Sequence, residues 1–401
     1  MMVKSLPVRS IVDAIDAAAT AWRNPALEAR QRARSAVSER MEYSLPVVDY
    51  AFDRLFHAIT ADGLRSVIAG ELGCLDVLDR FVEREPGLAA RALPVGRVCI
   101  VSSRTTIGVA IVPAIFALCA KCDVLVKDRD DHLVAAFFAT LGAALPQLGA
   151  GAVAIPWRGE RDRVDLAGYD CVVAFGTDTT LNAISSTLRV PTRYIAYPAK
   201  ASAGYLAKEA LQRESDVATL AQDAARDVLL YDGEGCLSLH VLFVERGGRI
   251  SPEAFCALLA RAIETLEARY PAVPRAEGAA RRAMARDLAT FRIAVAVGDA
   301  AETSSLVLQD APAEEAPLFA PRAVNVRSVD GPADAIAYLQ RHQISLEALA
   351  IAPGGAAFDL AAATGAARIA PFGSLQAPRL GTLHGGRPRI AEFVRWIVDE
   401  T

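Results

Sequence analysis

The sequence predicts an α/β protein with a doubly wound parallel sheet in one domain and a second α/β domain after it. Short β-rich runs alternate with helix-length segments from residue 97 to 198, the order typical of a mostly parallel sheet with helices on both faces. A second alternation of helices and short strands follows in residues 206–370. The 401 residues are 53% apolar and 22% charged, a globular composition, and the length is typical of two or three domains.

Residues 1–95 form the first region, which we expect to be helical. Apolar residues recur three or four positions apart in VRSIVDAIDAAATAW, VVDYAFDRLFHAI and LGCLDVLDRFV, and strand-like patterns are scarce. Pro94 and Gly96 then end the region, because neither residue favours the continuation of a helix.

Residues 96–205 carry the strand–helix alternation that predicts the parallel sheet. A parallel neighbour needs a crossover connection, so VCIVSS, the apolar helix after it and DVLVK together predict a βαβ unit. The strands GAVAIP, YDCVVAFG and TRYIAYP follow, with further helices between them. Ligands of such sheets bind beyond the carboxyl ends of the strands. We expect residues 371–401 to return to this domain.

Residues 206–370 form the predicted second domain. A long helix leads into the turn DGEGC and then into an alternating strand. Helices over 252–268 and 276–288 and the strands FRIAVAV, SSLVLQD and AVNVRSV continue the α/β pattern. The closing segment IAEFVRWIVDE is compatible with either a helix or a strand.

Charge and cysteine usage narrow the classes of function. A net charge of −4 without a long basic run argues against nucleic acid or an anionic membrane surface as partners. The longest apolar stretch, residues 107–119, is shorter than the about 20 residues that cross a bilayer. Seven scattered cysteines and an N-terminus without a secretion pattern favour the cytoplasm. The histidines show no HxxxH or HExxH spacing, so we expect no metal site and predict small-molecule chemistry.

Cys236 is the strongest candidate catalytic residue. It follows Gly233, Glu234 and Gly235 in a turn directly before a β run. Glycines let the backbone turn sharply and let a ligand approach, and nearby amide groups are expected to lower the pKa of a nucleophilic thiol. The alternative, a small buried core residue, is retained for the other six cysteines.

His240 lies four residues after Cys236. On a strand that included both residues they would share one face, which makes His240 a candidate for proton transfer. The alternative, somewhat favoured, is a hydrogen-bonded histidine that lines the strand.

A second group of candidates lies at strand ends of the predicted parallel sheet. Gly176, Thr177, Asp178 and Thr179 follow the strand VVAF and open a helix, so the segment either binds a phosphate or caps its own helix. Lys127 and Arg129 lie at the end of DVLV, where a cofactor ribose or phosphate would bind, and surface residues are the alternative. No GxGxxG motif is present, so no ordinary dinucleotide fingerprint is claimed.

Several segments together resemble the LuxC-type acyl-CoA reductases of the aldehyde dehydrogenase superfamily, over roughly residues 95–401. They are VCIVSSRTTIGVAIVPAIFALCAKCDVLVKDRDDH, VVAFGTDTTLNAI, YIAYPAKASAG, DVLLYDGEGCLSLHVLFVE and RIAPFGSLQAPRLGTLHGGRP. The most specific is GCLS before a strand that ends in Val244 and Glu245. The resemblance implies the aldehyde-dehydrogenase-like fold, whose members hold a dinucleotide without GxGxxG.

The resemblance also implies the chemistry. Cys236 would take an acyl group from acyl-CoA or an acyl carrier protein, and NADPH, or alternatively NADH, would reduce it to an aldehyde. Lys127 matches the contact with the cofactor ribose or 2′-phosphate, and the turn from Gly176 to Thr179 matches the segment beside the pyrophosphate and nicotinamide. Arg129 follows Asp128 in place of the usual Pro-Ser, which leaves the choice of cofactor open. The family further implies a homo-oligomer and a partnership with an acyl-protein synthetase.

Two departures bear on the reaction. Aldehyde-oxidising members use an upstream glutamate to activate water, whereas this segment, residues 197–202, holds no carboxylate, which favours a reductase. Arg104 stands where an asparagine usually holds the oxyanion, and its guanidinium would bind either that oxyanion or a substrate anion. The alternatives are an NAD(P)-dependent aldehyde dehydrogenase and a cofactor-independent acyl-transfer protein or noncatalytic assembly partner.

Overall fold

The chain folds into two compact units. The structure is a computed structural model, and it describes residues 3–103, 105–129, 132–156, 164–273, 283, 287, 295–297, 305–310, 314–317, 319–353 and 358–401. The first unit comprises Met1–Met41, Val48–Ala199 and Arg379–Thr401, and the second comprises Glu42–Val47 and Lys200–Pro378.

The helices and strands are numbered here in chain order. The α-helices are α1 (Val8–Arg23), α2 (Glu28–Met41), α3 (Leu45–Ala58), α4 (Ala61–Leu72), α5 (Ile111–Cys119), α6 (Leu133–Ala144), α7 (Pro146–Ala150), α8 (Asp178–Ser185), α9 (Glu214–Leu229), α10 (Pro252–Glu267), α11 (Pro332–Arg341) and α12 (Phe358–Thr364). The strands are β1 (Val82–Glu85), β2 (Leu88–Pro94), β3 (Arg97–Val101), β4 (Asp123–Asp128), β5 (Ala152–Pro156), β6 (Cys171–Gly176), β7 (Arg193–Pro198), β8 (Ala201–Leu206), β9 (Leu239–Glu245), β10 (Val295–Val297), β11 (Leu306–Gln309), β12 (Ala323–Val329), β13 (Leu346–Ala352), β14 (Arg368–Ala370) and β15 (Val394–Asp399).

The N-terminal region is helical from α1 to α4, as predicted, because each helix buries an apolar stripe. Trp22 of α1 packs against Phe56 with ring centroids 4.8 Å apart, and its Nε1 donates to Thr140 Oγ1 at 3.0 Å. The expectation of few strands before residue 95 is wrong at β1 and β2, which form an antiparallel pair. β2 also pairs with β15, whose residues lie far away in sequence, so local periodicity could not reveal this sheet.

The first unit also contains a five-stranded sheet in the order β5-β4-β3-β6-β7. Every pair of neighbours is parallel and in continuous register, as the strand–helix alternation predicts. Buried side chains of β3 and β6, including Cys99, Val172 and Ala174, pack on one face of the sheet. The carboxyl ends of β3, β4 and β6 therefore bring the candidate cofactor residues to one edge.

The second unit is built on a seven-stranded sheet in the order β10-β11-β12-β9-β8-β13-β14, in which only the β10–β11 pair is antiparallel among the described strands. Helices α9 and α10 cover one face of it, with Phe255 and Leu259 fully buried. Strand β8 lies in this sheet although the sequence analysis assigned residues 96–205 to the preceding domain. Its small residues gave no strand pattern, and they allow close packing: a Cβ on Gly204 would lie 2.8 Å from Leu242 Cδ1.

Two further expectations concern the C-terminal half. The closing segment is a strand, β15, which resolves the choice between helix and strand. The predicted helix over 276–288 lies outside the described residues except at Ala283 and Asp287, which are helical. Residues 371–378 belong to the second unit, and only the residues from Arg379 onward return to the first.

Candidate active site

Cys236 lies at the tip of a tight turn that joins α9 to β9. Tyr231, Asp232 and Gly233 all have positive φ, at 56°, 53° and 69°, so the chain makes a left-handed step before the cysteine. Ser238 N then donates to Gly235 O at 2.9 Å, which closes a β-turn with Cys236 inside it. The expectation that Cys236 and His240 share a strand face is wrong, because β9 begins only at Leu239.

A buried ion pair holds the left-handed step. Arg322 Nη2 lies 2.6 Å from Asp232 Oδ1, with both side chains almost completely buried, and Arg322 N donates to Asp232 O at 2.8 Å. A Cβ at Gly233 would lie 2.9 Å from Arg322 N, so a glycine is required there. The ion pair and the backbone hydrogen bond between Asp232 and Arg322 together stabilise a positive-φ conformation that non-glycine residues rarely adopt.

Side chains from the neighbouring strand and from a later loop hold the rest of the turn. Ser202 Oγ on β8 donates to Cys236 O at 2.7 Å. Gln376 Nε2 donates to the buried Ser238 Oγ at 2.8 Å. The loop that carries Gln376 is held by Asp227, which accepts from Gly373 N and Leu375 N at 2.6 and 3.1 Å. Burial raises the pKa of Asp227 to about 7 despite these hydrogen bonds.

His240 is buried and braces the turn from behind. Its Nε2 lies 2.9 Å from Gly233 O, and because a carbonyl only accepts, Nε2 carries the proton. Burial lowers the pKa of His240 to about 4, so the ring is neutral at pH 7. These contacts are those of the hydrogen-bonded histidine that the sequence analysis favoured, and its proton-transfer role stays a prediction.

The thiol of Cys236 lies in a mixed electrostatic environment. The residue retains intermediate exposure, yet burial raises the pKa of its thiol to about 12. The carboxylate of Glu347 raises this pKa as well, whereas Lys200 and the amides of Cys236 and Leu237 lower it. The expectation of a lowered pKa is therefore wrong, because desolvation outweighs the amide groups of the turn.

Glu347 and Lys200 were not identified as site residues from the sequence. Glu347 is 6% exposed on β13, and its Oε2 lies 3.4 Å from Nζ of Lys200, the residue just before β8. The signal was present, since Glu347 interrupts the apolar run LEALAIA. Its significance required the strand order, which brings β13 beside β8.

The candidate cofactor residues lie at the carboxyl edge of the five-stranded sheet. Lys127 is only 8% exposed, so the surface-lysine alternative does not apply to it. Ser102 N donates to Lys127 O at 3.2 Å, and Arg129 N donates to Ser102 Oγ at 2.9 Å, which ties the ends of β3 and β4 together. Asp128 is buried, and its Oδ2 accepts from Val134 N at 3.4 Å near the start of α6.

The segment after β6 caps its own helix and also exposes its polar groups. Thr177 Oγ1 accepts from Thr180 N at 3.4 Å, the N-cap arrangement of α8. Thr177, Asp178 and Thr179 are nonetheless exposed, and amides of a first helical turn have no partner within the helix. A Cβ at Gly176 would lie 3.3 Å from the Thr180 side chain, so glycine keeps this turn tight.

The remaining candidates from the sequence are Arg104 and the six cysteines other than Cys236. Arg104 lies outside the described residues. Five of the other cysteines are buried, and Cys74 has intermediate exposure. Burial raises the pKa of both Cys119 and Cys122 to about 12, which agrees with their assignment to the core.

Comparison with known families identifies the chain. The profile of the LuxC acyl-CoA reductases matches residues 3–396. The chain belongs to the LuxC acyl-CoA reductase family. No curated protein matches the sequence significantly. Membership supports an oxidoreductase that reduces acyl groups to aldehydes or acts on aldehydes.

Solved structures of aldehyde dehydrogenases share the fold. A NAD-dependent benzaldehyde dehydrogenase from Corynebacterium glutamicum is similar with a TM-score of 0.74 and 16% identity, over 100% of this chain and 87% of that chain. Aldehyde dehydrogenase 21 from Physcomitrella patens gives 0.75 and 12%, over 99% and 86%. The NADP-dependent glyceraldehyde-3-phosphate dehydrogenase from Bacillus halodurans, solved with NADP, gives 0.73 and 15%, over 99% and 87%. The chain thus has the predicted aldehyde-dehydrogenase-like α/β fold.

Within the described ranges, no helix combines the length and apolar character that a bilayer crossing demands. In the same part of the chain, no group of three or more His, Cys, Asp and Glu side chains is arranged to hold a metal ion.

Proposed function

We propose that this protein reduces an acyl thioester to an aldehyde with NADPH, through an acyl group bound to Cys236. The observation that carries the proposal is the position of Cys236 at the tip of a braced β-turn, in a chain of the LuxC acyl-CoA reductase family. A structural cysteine needs neither the left-handed step before it nor the buried ion pair that holds it.

The chemistry at Cys236 begins with an acyl transfer. The sulfur forms a bond to the acyl carbon of acyl-CoA or of an acyl carrier protein, and the donor's own carbon–sulfur bond breaks. A reduced nicotinamide, when bound, would supply a hydride to the acyl carbon, and the bond from that carbon to the Cys236 sulfur would break as the aldehyde leaves. Ser202 keeps the cysteine backbone in place throughout, since its hydroxyl donates to Cys236 O.

The residues at the carboxyl edge of the five-stranded sheet fit a dinucleotide. Lys127 supplies a cation beside the strand ends, and the first turn of α8 supplies amide groups to a phosphate. Gly176 keeps the turn tight against the Thr180 side chain and so fixes the first turn of α8 at the end of β6. Lys127, Arg129 and the segment from Gly176 to Thr179 are therefore the proposed cofactor contacts.

NADPH is proposed over NADH because of how the charges at the end of β4 are arranged. Asp128, which would repel a 2′-phosphate, is buried and directed at Val134 N. Lys127 and Arg129 place two cationic side chains at the end of β4, and either would pair with a 2′-phosphate. The similar NADP-dependent glyceraldehyde-3-phosphate dehydrogenase shows that this fold accommodates the phosphorylated cofactor.

The proposal is tested by incubating the protein with acyl-CoAs of several chain lengths and NADPH. We expect NADPH to be consumed, an aldehyde to appear, and Cys236→Ala to abolish the acyl-enzyme measured by intact mass. Cys74→Ala is the matched control, because Cys74 also has intermediate exposure but lies in the other unit. Acylation that persists in Cys236→Ala would show that another residue is the nucleophile.

An NAD(P)-dependent aldehyde dehydrogenase is the second candidate, and Glu347 is the observation that favours it. Although the segment 197–202 lacks a carboxylate, Glu347 brings one from β13 to the environment of Cys236. A carboxylate there is able to activate a hydrolytic water. Oxidation of free aldehydes to acids, with no reduction of any acyl thioester, would favour this alternative.

We also propose a cytoplasmic homo-oligomer that works with an acyl-protein synthetase. Strand β15 lies at the edge of its described sheet and exposes Trp396, Ile397 and Val398 by 42%, 39% and 53%. An exposed apolar edge strand is suited to pairing with another chain. Size-exclusion chromatography with light scattering tests the oligomer, and Val398→Lys should shift it toward monomer.

A further inference from the structure

The sheet of the second unit is irregular beside Cys236. On one side of β8, Ala201 pairs with Leu346 and Ser202 with Ala348, so Glu347 is an extra residue. On the other side, Ser202 pairs with Leu239 and Ala203 with Val241, so His240 is an extra residue. Bulges are rare in parallel pairs, and they redirect side chains next to active sites.

Both irregularities flank Ser202, the residue whose hydroxyl holds Cys236. On one side, His240 donates a hydrogen bond from Nε2 to Gly233 O, and this contact explains the position of His240. Glu347 on the other side is a carboxylate only 6% exposed, between Leu346 and Ala348, which are fully buried. A buried carboxylate is costly for folding unless it is paired, and apolar residues in its place would often be equally stable.

Lys200 provides the pairing for Glu347 and connects it to the cysteine. Its Nζ lies 3.4 Å from Glu347 Oε2. Both charges act on the Cys236 thiol, the carboxylate opposing ionisation and the ammonium favouring it. Because burial keeps this thiol protonated, attack on a thioester requires a nearby group that takes its proton.

We propose that Glu347 is the proton acceptor for Cys236 and that Lys200 positions its carboxylate. The inference rests on the proposed acyl transfer. The S–H proton passes to Glu347, directly or through one water, as the sulfur bonds to the acyl carbon. The donor's carbon–sulfur bond then breaks, and the departing thiolate takes the proton from Glu347. Atoms and charge balance without any oxidant or reductant.

The first test uses the unmodified full-length protein. Alkylation of Cys236 by iodoacetamide and its acylation by an acyl-CoA without NADPH are both followed by intact mass from pH 7 to 9. Alkylation should rise about tenfold per pH unit, because only the thiolate reacts. Acylation should change far less, because the carboxylate supplies the base. Parallel tenfold rises would show that solvent removes the proton, and would overturn the inference.

The second test uses Glu347→Gln. Acylation should fall by about 10²–10³-fold, as expected for the loss of a general base. Alkylation should instead become severalfold faster, since the carboxylate that opposes thiolate formation has been removed. Glu347→Asp should recover part of the acylation rate. A merely structural role would not move the two rates in opposite directions.

Glu245→Gln is the matched control. Glu245 is also buried in this sheet and paired with a lysine, Lys208, at 3.6 Å, but it accepts from Tyr205 and lies at the far end of β9. Both of its rates should stay near those of the unmodified protein. If Glu347→Gln acylates at the unmodified rate, the inference is wrong and the proposed function stands. A longer-lived acyl-enzyme with unchanged acylation would assign Glu347 to water activation instead. Failure of every donor to acylate Cys236 in the unmodified protein would overturn both.

Discussion

The two parallel sheets of this protein differ in regularity. In the five-stranded sheet every register is continuous, and the candidate cofactor residues lie where strands end. In the seven-stranded sheet the pairing shifts on both sides of β8, beside the turn that carries Cys236. A regular sheet suffices to present backbone amides and a lysine at its edge. The side chains of Ser202 and His240, which hold the backbone of the cysteine turn, lie instead where the pairing departs from regularity.

The buried Asp232–Arg322 ion pair should contribute more to stability than an exposed pair of the same unit, because it holds the cysteine turn. Asp232→Asn leaves buried Arg322 with only the more distant carboxylate of Glu267, 3.9 Å from Arg322 Nη1. It should lower the free energy of unfolding by up to about 3–5 kcal/mol, measured by urea denaturation. Asp330→Asn is the control, since its pair with Arg246 is exposed and should contribute about 0–1 kcal/mol. Similar decreases in the free energy of unfolding in both variants would show that the buried ion pair does not stabilise the cysteine turn more than an exposed pair stabilises its own surroundings.

Two buried titratable groups of the second unit should respond to pH with opposite sign. Burial lowers the pKa of His240 from 6.5 to about 4, so its contribution to stability is present above pH 6.5 and is lost as the pH falls toward 4, by on the order of 3 kcal/mol. Burial raises the pKa of Asp227 from 3.8 to about 7, so its contribution is present below pH 3.8 and is lost as the pH rises through 7.

Urea denaturation between pH 4 and 7 checks both signs. The stability of the unmodified protein relative to His240→Asn should increase with pH, and its stability relative to Asp227→Asn should decrease. Two differences that change in the same direction would mean that one of the groups is solvated rather than buried.

Lys127 is the proposed cationic contact for NADPH at the edge of the five-stranded sheet. Lys127→Met removes the buried cation at the end of β4 and should weaken NADPH binding by about 10–100-fold, the effect of losing one charged hydrogen bond. NADPH fluorescence titration measures the change. Lys208→Met, in the other unit, should bind NADPH as the unmodified protein does. An unaffected Lys127→Met would remove this lysine from the cofactor site.

Two N-cap threonines of the first unit distinguish helix capping from ligand binding at α8. Thr177→Ala and Thr60→Ala each remove an N-cap side chain in the first unit, and each should lower stability by about 1 kcal/mol. Only Thr177→Ala should also weaken NADPH binding, because α4 is not part of the proposed site. Equal NADPH affinity in the two variants would leave Thr177 with a capping role alone.

Sequence reasoning predicted the elements that local patterns specify. The strands of the five-stranded sheet, helix α10 and the turn before Cys236 all lie where periodicity and glycine placement indicate. It missed β8, whose small residues resemble a loop, and β1 and β2, whose sheet is completed by residues near the C-terminus. It also missed Arg322, Gln376 and Glu347, because each reaches the cysteine turn from a distant part of the chain.

The amino-acid sequence by itself determined the alternation of strands and helices, the family and the identity of the candidate nucleophile, because these depend on periodicity and on short motifs. The tertiary structure alone decided how the thiol is surrounded. Desolvation, the Asp232–Arg322 pair and the carboxylate of Glu347 depend on which strands lie side by side, and that order is set by pairing between distant residues rather than by any local pattern.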